Sequence, residues 1–261
     1  MIKMDSKDIG FLVKFVEPER VESFLDGEVY FSPLKYFVDM EKRDGDDKIG
    51  DAYEGSVLYT LKPNDKIWIQ PLDKEGNPNG KPFSVKPSKA TRLTVGFKDD
   101  EKEKLGVASF FYLSLDDMEP TDFESDEEDI SAFSLSADNL DLLENFNDED
   151  KRIPIVILDV RKFIKKVESA IDYYGSITYY DSNNMESAYK ASSENVVLSS
   201  FKKRKEYSDQ KEYRLEKWLD IPGKGQVIQL GDLRSIARAS SVEEISRLAM
   251  LIKGLVELDD K

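Results

Sequence analysis

Apolar residues come in short bursts along this chain, and most bursts alternate with polar positions. Period-two bursts of four to eight residues read as half-buried strands. They fall at 11–16, 28–32, 57–61, 66–70, 92–97 and 107–115. The last of these, Val-Ala-Ser-Phe-Phe-Tyr-Leu-Ser-Leu, is the most aromatic and is expected at the centre of a sheet. Later bursts at 153–158, 176–180, 196–201 and 227–230 also read as strands, and residues 73–82 read as a turn-rich hairpin loop. Helical spacing appears in shorter pieces. Pro18 opens one helix (Val21, Phe24, Leu25) that Gly27 stops, and Pro33 opens another (Leu34, Phe37, Val38) to about residue 40. Asp159 can cap a third, with Phe163, Ile164, Val167, Ala170 and Ile171 on one face and Gly175 as its stop. Ser241 and Glu244 have capping-box spacing for a final helix with the stripe Val242, Ile245, Leu248, Ala249, Ile252 and Leu255. Strand-rich order with scattered helices predicts one α+β domain over residues 1–261, with a mostly antiparallel sheet core.

One stretch is costly to explain by packing alone. Residues 207–215, Tyr-Ser-Asp-Gln-Lys-Glu-Tyr-Arg-Leu, read as a strand. Alternation then puts Gln210, Glu212 and Arg214 on one face and Tyr213 and Leu215 on the other. A buried face of that kind demands partners. It is either a half-exposed strand with a Glu–Arg pair or the polar wall of a cleft. A second polar constellation is Gly50-Asp51-Ala52-Tyr53-Glu54-Gly55, where two glycines bracket two carboxylates. Asp51 and Glu54 there can cap local N–H groups or bind a ribose, a cation or an arginine. A third is the cation set Lys202, Lys203, Arg204 and Lys205, with Arg234 and Arg238 spaced as one helical turn. It reads either as a solvated face or as a pyrophosphate cradle.

Composition narrows the chemistry. The chain has no Cys and no His, which removes disulfides, thiol nucleophiles, imidazole–zinc sites and Ser-His-Asp hydrolysis. Catalysis would fall to carboxylates, Lys, Tyr, Ser or Arg. A metal would need oxygen ligands, and none is expected. No apolar run is long enough to span a bilayer, and the first residues lack a signal-peptide core, so a location in the cytoplasm of the cell that makes the protein is expected.

The formal charge of −15 is localised. Residues 116–150 hold 15 acidic residues and no Lys or Arg, so the remaining 38 acids match the 38 Lys and Arg. The segment peaks at Asp126-Glu127-Glu128-Asp129 and Asp148-Glu149-Asp150. It reads as an acidic insertion, either solvated and flexible or an interaction arm that mimics nucleic acid or docks on a basic protein partner. Ile130, Phe133, Leu135, Leu140, Leu142, Leu143 and Phe146 within it can dock it on the body or on that partner. With no excess of cations, direct high-affinity nucleic-acid binding is not expected, nor is a membrane partner.

Taken together, Phe11-Leu-Val-Lys-Phe, Gly27-Glu-Val-Tyr-Phe-Ser, Lys35-Tyr-Phe, Gly50-Asp-x-Tyr-Glu-Gly and Tyr207-Ser-x-Gln-x-Glu-Tyr-Arg resemble a group of uncharacterised bacterial and phage-associated proteins. Their layout resembles that of ADP-ribosyltransferase-like folds, found among toxins and antiviral defence proteins. The resemblance covers both ends of the chain and omits the acidic middle. It implies NAD as substrate, Glu212 as the catalytic glutamate on the nicotinamide ribose, and Gln210 as the residue that orients the acceptor. Tyr30 or Tyr36 would stack on nicotinamide. Lys14 stands on the first strand where one class of these enzymes has an arginine. With Asp51, Glu54 and Arg214 it completes the implied NAD-binding set. The same context also admits a non-enzymatic protein: a phage sensor, or an inhibitor of a defence enzyme, with the acidic segment as its contact.

Overall fold

The computed structural model describes residues 10–44, 50–65, 67–86, 91–122, 130–147, 152–192 and 196–253. The strands are β1 (Gly10–Val16), β2 (Glu28–Pro33), β3 (Ser56–Thr60), β4 (Ile67–Ile69), β5 (Phe83–Val85), β6 (Arg92–Gly96), β7 (Leu105–Ser114), β8 (Met118–Thr121) and β9 (Ile130–Leu135). They continue with β10 (Ile153–Ile157), β11 (Tyr173–Ser176), β12 (Thr178–Tyr180), β13 (Lys202–Arg204), β14 (Glu212–Trp218), β15 (Gln226–Gln229), β16 (Ala237–Ala239) and β17 (Ala249–Lys253). The helices are α1 (Val21–Leu25), α2 (Leu34–Asp44), α3 (Asp99–Lys102), α4 (Ala137–Asn147), α5 (Val160–Val167), α6 (Met185–Ser192) and α7 (Val242–Ser246). The class is α+β with mostly antiparallel sheets, as the alternating bursts predict. None of the described helices is long and apolar enough to cross a membrane.

The chain divides into two compact units. Unit 1 comprises Met1–Pro33, Glu103–Ile177 and Asp209–Lys261, and unit 2 comprises Leu34–Lys102 and Thr178–Ser208. Unit 1 is built on the sheet β11-β14-β7-β1-β10-β16, with β2 joined to β7 and to β15. The aromatic strand β7 is central, as its sequence predicts. On one edge it pairs with β14, from Glu212↔Phe111 to Trp218↔Leu105. On the other it pairs with β1 at 111–114 and with β2 at 106–107. One sheet face buries Leu12, Phe110, Ile155 and Leu215 against Phe163 and Val167 of α5 and Phe24 of α1. Asp159 caps α5, accepting the Lys162 N–H at 2.9 Å, as its sequence position predicts.

The opposite face buries Phe11, Val13, Phe111 and Val156 against Leu135, Leu143 and Ile245. Leu135 and Leu143 belong to the acidic segment, whose described part forms β8, β9 and α4. Phe146 of α4 stacks near Phe15 and Phe111, with ring centroids 5.4 and 6.3 Å away. These apolar residues hold the described part of the segment on the body of unit 1; of its described acids, Asp116, Glu119, Asp122, Asp138, Asp141 and Glu144 face outward, while Asp117 turns in to Ser114 and Lys211. The acidic peaks at 126–129 and 148–150 lie outside the described residues, as does Leu255.

Four expectations from local pattern are corrected. The final helix ends at Ser246, and Ala249–Lys253 instead pair with Ser134–Ile130 of β9. Cross-strand pairing there overrides a helical stripe. Residues 196–201 form a 3-10 turn rather than a strand, and the strand read at 176–180 splits, Ser176 ending β11 and Thr178–Tyr180 forming β12. Residues 205–210 are also 3-10, so β14 starts only at Glu212.

Unit 2 holds the antiparallel pair β3–β6, the parallel pair β12–β13 and the hairpin β4–β5. The hairpin and its turn-rich loop form as the sequence predicts. Val57, Tyr59, Leu61, Tyr180, Ala188 and Ala191 make its small core. Tyr180 adds a polar tie, its hydroxyl accepting the Leu58 N–H at 2.6 Å.

Candidate functional site

The central sheet of unit 1 has a gap. β1 leaves the ladder after Val13↔Phe111 and β2 joins it only at Ser32↔Val107. Among the described residues, Ala108, Ser109 and Phe110 therefore have no strand partner on that edge. Lys14 is the first residue of β1 past the break. By alternation it leaves β1 on the Leu12 side, 5.3 Å from the Phe110 ring centroid. Through the gap its ammonium donates to the Ser109 carbonyl at 2.7 Å.

On the other edge of β7, Arg214 lies opposite Ser109, and Glu212 lies opposite Phe111. Directly paired residues share a face. Ser109, Glu212, Arg214 and Glu216 therefore stand together, with Ser32 and, by alternation, Tyr30 on that side. The Ser109 hydroxyl donates to Glu212 Oε1. Arg214 donates to the same oxygen from Nε at 2.8 Å, and its second terminal nitrogen lies 2.7 Å away. Glu216 is 3.9 Å from the Arg214 guanidinium on the other side. Glu212, Arg214 and Glu216 are 5, 2 and 0% exposed, so these charges are buried as a network. Burial lowers the Lys14 pKa to about 8; the Glu212 carboxylate works against that shift and Arg152 adds to it.

The sequence-predicted site residues separate as follows. Lys14, Glu212 and Arg214 converge. Tyr30 is 45% exposed, backed by the Gly225 backbone, with the Arg20 guanidinium 5.8 Å from its ring centroid. Gln210 is a correction to the strand reading. It ends the 3-10 turn, and Lys211 has φ 40°, so the chain turns before Glu212 and the two are not on one strand face. Tyr36 belongs to unit 2, 49% exposed beside Phe37.

Asp51 and Glu54 also belong to unit 2, and both are turned inward, at 2 and 1% exposure. The two choices open for them in the sequence resolve toward protein partners. Arg204 donates to Asp51 at 2.9 Å, and Lys203 lies 3.2 Å from Glu54. Asp51 also accepts the Tyr53 N–H at 2.9 Å. Burial raises the Asp51 pKa, as does Glu54, and Arg204 opposes them. Arg204 further donates to Tyr207 at 2.7 Å and lies between the rings of Tyr53 and Tyr207. Of the cation set read at 202–205, Lys203 and Arg204 are thus engaged by carboxylates of their own unit. Arg234 is engaged by Glu22 and Asp26, and Arg238 lies on β16 rather than one helical turn away.

Ser109, Glu216 and Arg152 are the residues that sequence reasoning misses. Glu216 had a signal, since the 212–214 alternation simply continues to it. Ser109 is a small hydroxyl inside an aromatic strand, and no spacing rule marks it. No family model, no curated protein and no solved structure matches this chain.

Proposed function

We propose that this chain is an ADP-ribosyltransferase-like protein of a toxin or phage–host conflict system, with NAD as its substrate. The observation that carries the reading is the convergence of Lys14, Ser109 and Glu212 from three adjacent strands at a break in the sheet. These are a cation, a hydroxyl and a carboxylate, and the resemblance implies the cation and the carboxylate on such strands. The exposed Tyr30 on the same side offers a ring to nicotinamide. Asp51 and Glu54 contribute by holding Lys203 and Arg204, rather than by reaching a ribose.

The chemistry asked of these residues is modest. Glu212 accepts hydrogen bonds from the ribose hydroxyls and stabilises positive charge as it develops on the ring. The bond between the nicotinamide nitrogen and ribose C1 breaks, and nicotinamide leaves with the bonding pair. The acceptor nucleophile bonds to C1 and releases its proton. Ser109 and Arg214 fix the carboxylate in place, which lowers the reorganisation needed at that moment. Incubating the purified protein with labelled NAD and a bacterial lysate tests this. Transfer of label to protein or nucleic acid that disappears in Glu212→Gln supports it, and no transfer under any condition counts against it.

A second reading is favoured by one observation. Arg214 already grips Glu212, which is what a purely structural ion pair also looks like. On that reading the chain works by binding, as a sensor or an inhibitor. Catalytically silent protein that retains a partner would support it.

A further inference from the structure

We propose that an apolar cleft at the acidic end of unit 1 is a docking site for a basic amphipathic protein segment. The segment would place one or two large apolar side chains in the cleft and Lys or Arg around it. The cleft has a volume of about 180 Å³ and is lined by Phe11, Met118, Leu135, Leu158, Leu248 and Met250, with Ala249. None of these belongs to the Lys14–Glu212 network, so the inference stands whether or not NAD is turned over.

Two observations choose the occupant. The first is the lining itself. Two methionines and three leucines make an adaptable apolar surface, and Leu158 is 48% exposed. The second is charge. Met118 and Leu135 come from the 116–150 segment, whose 15 acids account for the whole net charge. Met118 is followed by the exposed Glu119, whereas Asp117 is paired with Lys211 and Asp159 with Lys162. On α4, Asp138, Asp141 and Glu144 all point to solvent while Leu143 is buried. The field of this end attracts cations and repels acidic segments and nucleic acid. A helix with apolar residues on one face and Lys on the other satisfies both features.

The test is a titration of the whole protein with a fluorescent synthetic peptide of leucine and lysine in amphipathic helical spacing. One control peptide keeps the lysines and replaces leucine by serine. The other keeps the leucines and replaces lysine by glutamate. We expect saturable binding of the leucine–lysine peptide alone, weakening as salt rises. Leu158→Gln and Met250→Gln, at partly exposed positions, should each weaken it about tenfold with the melting temperature held. Equal binding of the serine control would overturn the proposal, because charge alone would explain it. So would an affinity indifferent to both substitutions, or no binding at all. Sedimentation that shows a wild-type dimer lost in Leu158→Gln would overturn it too, since a second copy would then cover the cleft.

Discussion

Two groups of buried carboxylates stand among the described residues, and they differ in how they are held. In unit 2, Asp51 and Glu54 each meet a cation from one short strand, Arg204 and Lys203. The pairing is local to a loop and its neighbouring strand, and it leaves Arg204 wrapped by tyrosine rings. In unit 1, Glu212 lies in a network drawn from three strands at a place where the backbone ladder is broken. A backbone gap costs hydrogen bonds, so it persists only where something else compensates. Here Lys14 does so, at the expense of a buried ammonium. Burial and pairing alone thus describe a brace. Burial, pairing and a break in the sheet together describe a candidate site.

The comparison breaks most sharply at Glu54. Glu54→Ala leaves Lys203 buried beside the vacated position, and the expected loss is about 3–5 kcal/mol in denaturant unfolding. Adding Lys203→Met should recover much of that loss. If Glu54→Ala unfolds no more easily than wild type, the brace reading of unit 2 fails.

A smaller effect sharpens the unit 1 side. The Lys14 pKa is lowered in the native state from 10.5 to about 8. Between those values the unfolded chain holds a proton that the folded chain has released, so this residue makes stability rise with pH. Below pH 8 both states are protonated and the contribution is flat, with the native state carrying the cost of the buried charge. The difference in unfolding free energy between wild type and Lys14→Met should therefore change across pH 8 to 10.5 in favour of wild type. A difference that stays constant over that range would place the ammonium in water instead.

The smallest effect calibrates both. Asp159 is a carboxylate with neither a buried cation nor a network, and its helix-cap bond lowers its pKa. Asp159→Ala should cost about 1 kcal/mol. A cost as large as that of Glu54→Ala would remove the distinction between a cap and a buried brace.

What was legible in the sequence follows from the range of each interaction. β1, β7, β10, the Asp159 cap and the Ser241–Glu244 capping box are set by neighbours a few residues apart, and they form where the pattern puts them. Glu212 and Arg214 were legible for the same reason, since alternation along β14 is local. Gln210 was not, because the positive φ at Lys211 breaks the strand where a non-glycine residue gives no warning. Strand β17 was hidden by a helical stripe, because its partner β9 is distant in sequence. Ser109 was invisible because its role arises only when β14 and β1 flank β7 on opposite edges. The residues 116–150 read as polar by count, yet Leu135 and Leu143 were already present to anchor them.

If the Glu212 network acts on NAD as proposed, the purified protein releases nicotinamide from NAD. Glu212→Gln preserves the side-chain shape and leaves Glu216 near Arg214, so the variant should still unfold cooperatively. Wild type should release nicotinamide measurably, with a loss of roughly hundredfold or more in Glu212→Gln. Release that is undetectable in wild type, or equal in the two proteins, would contradict the proposal.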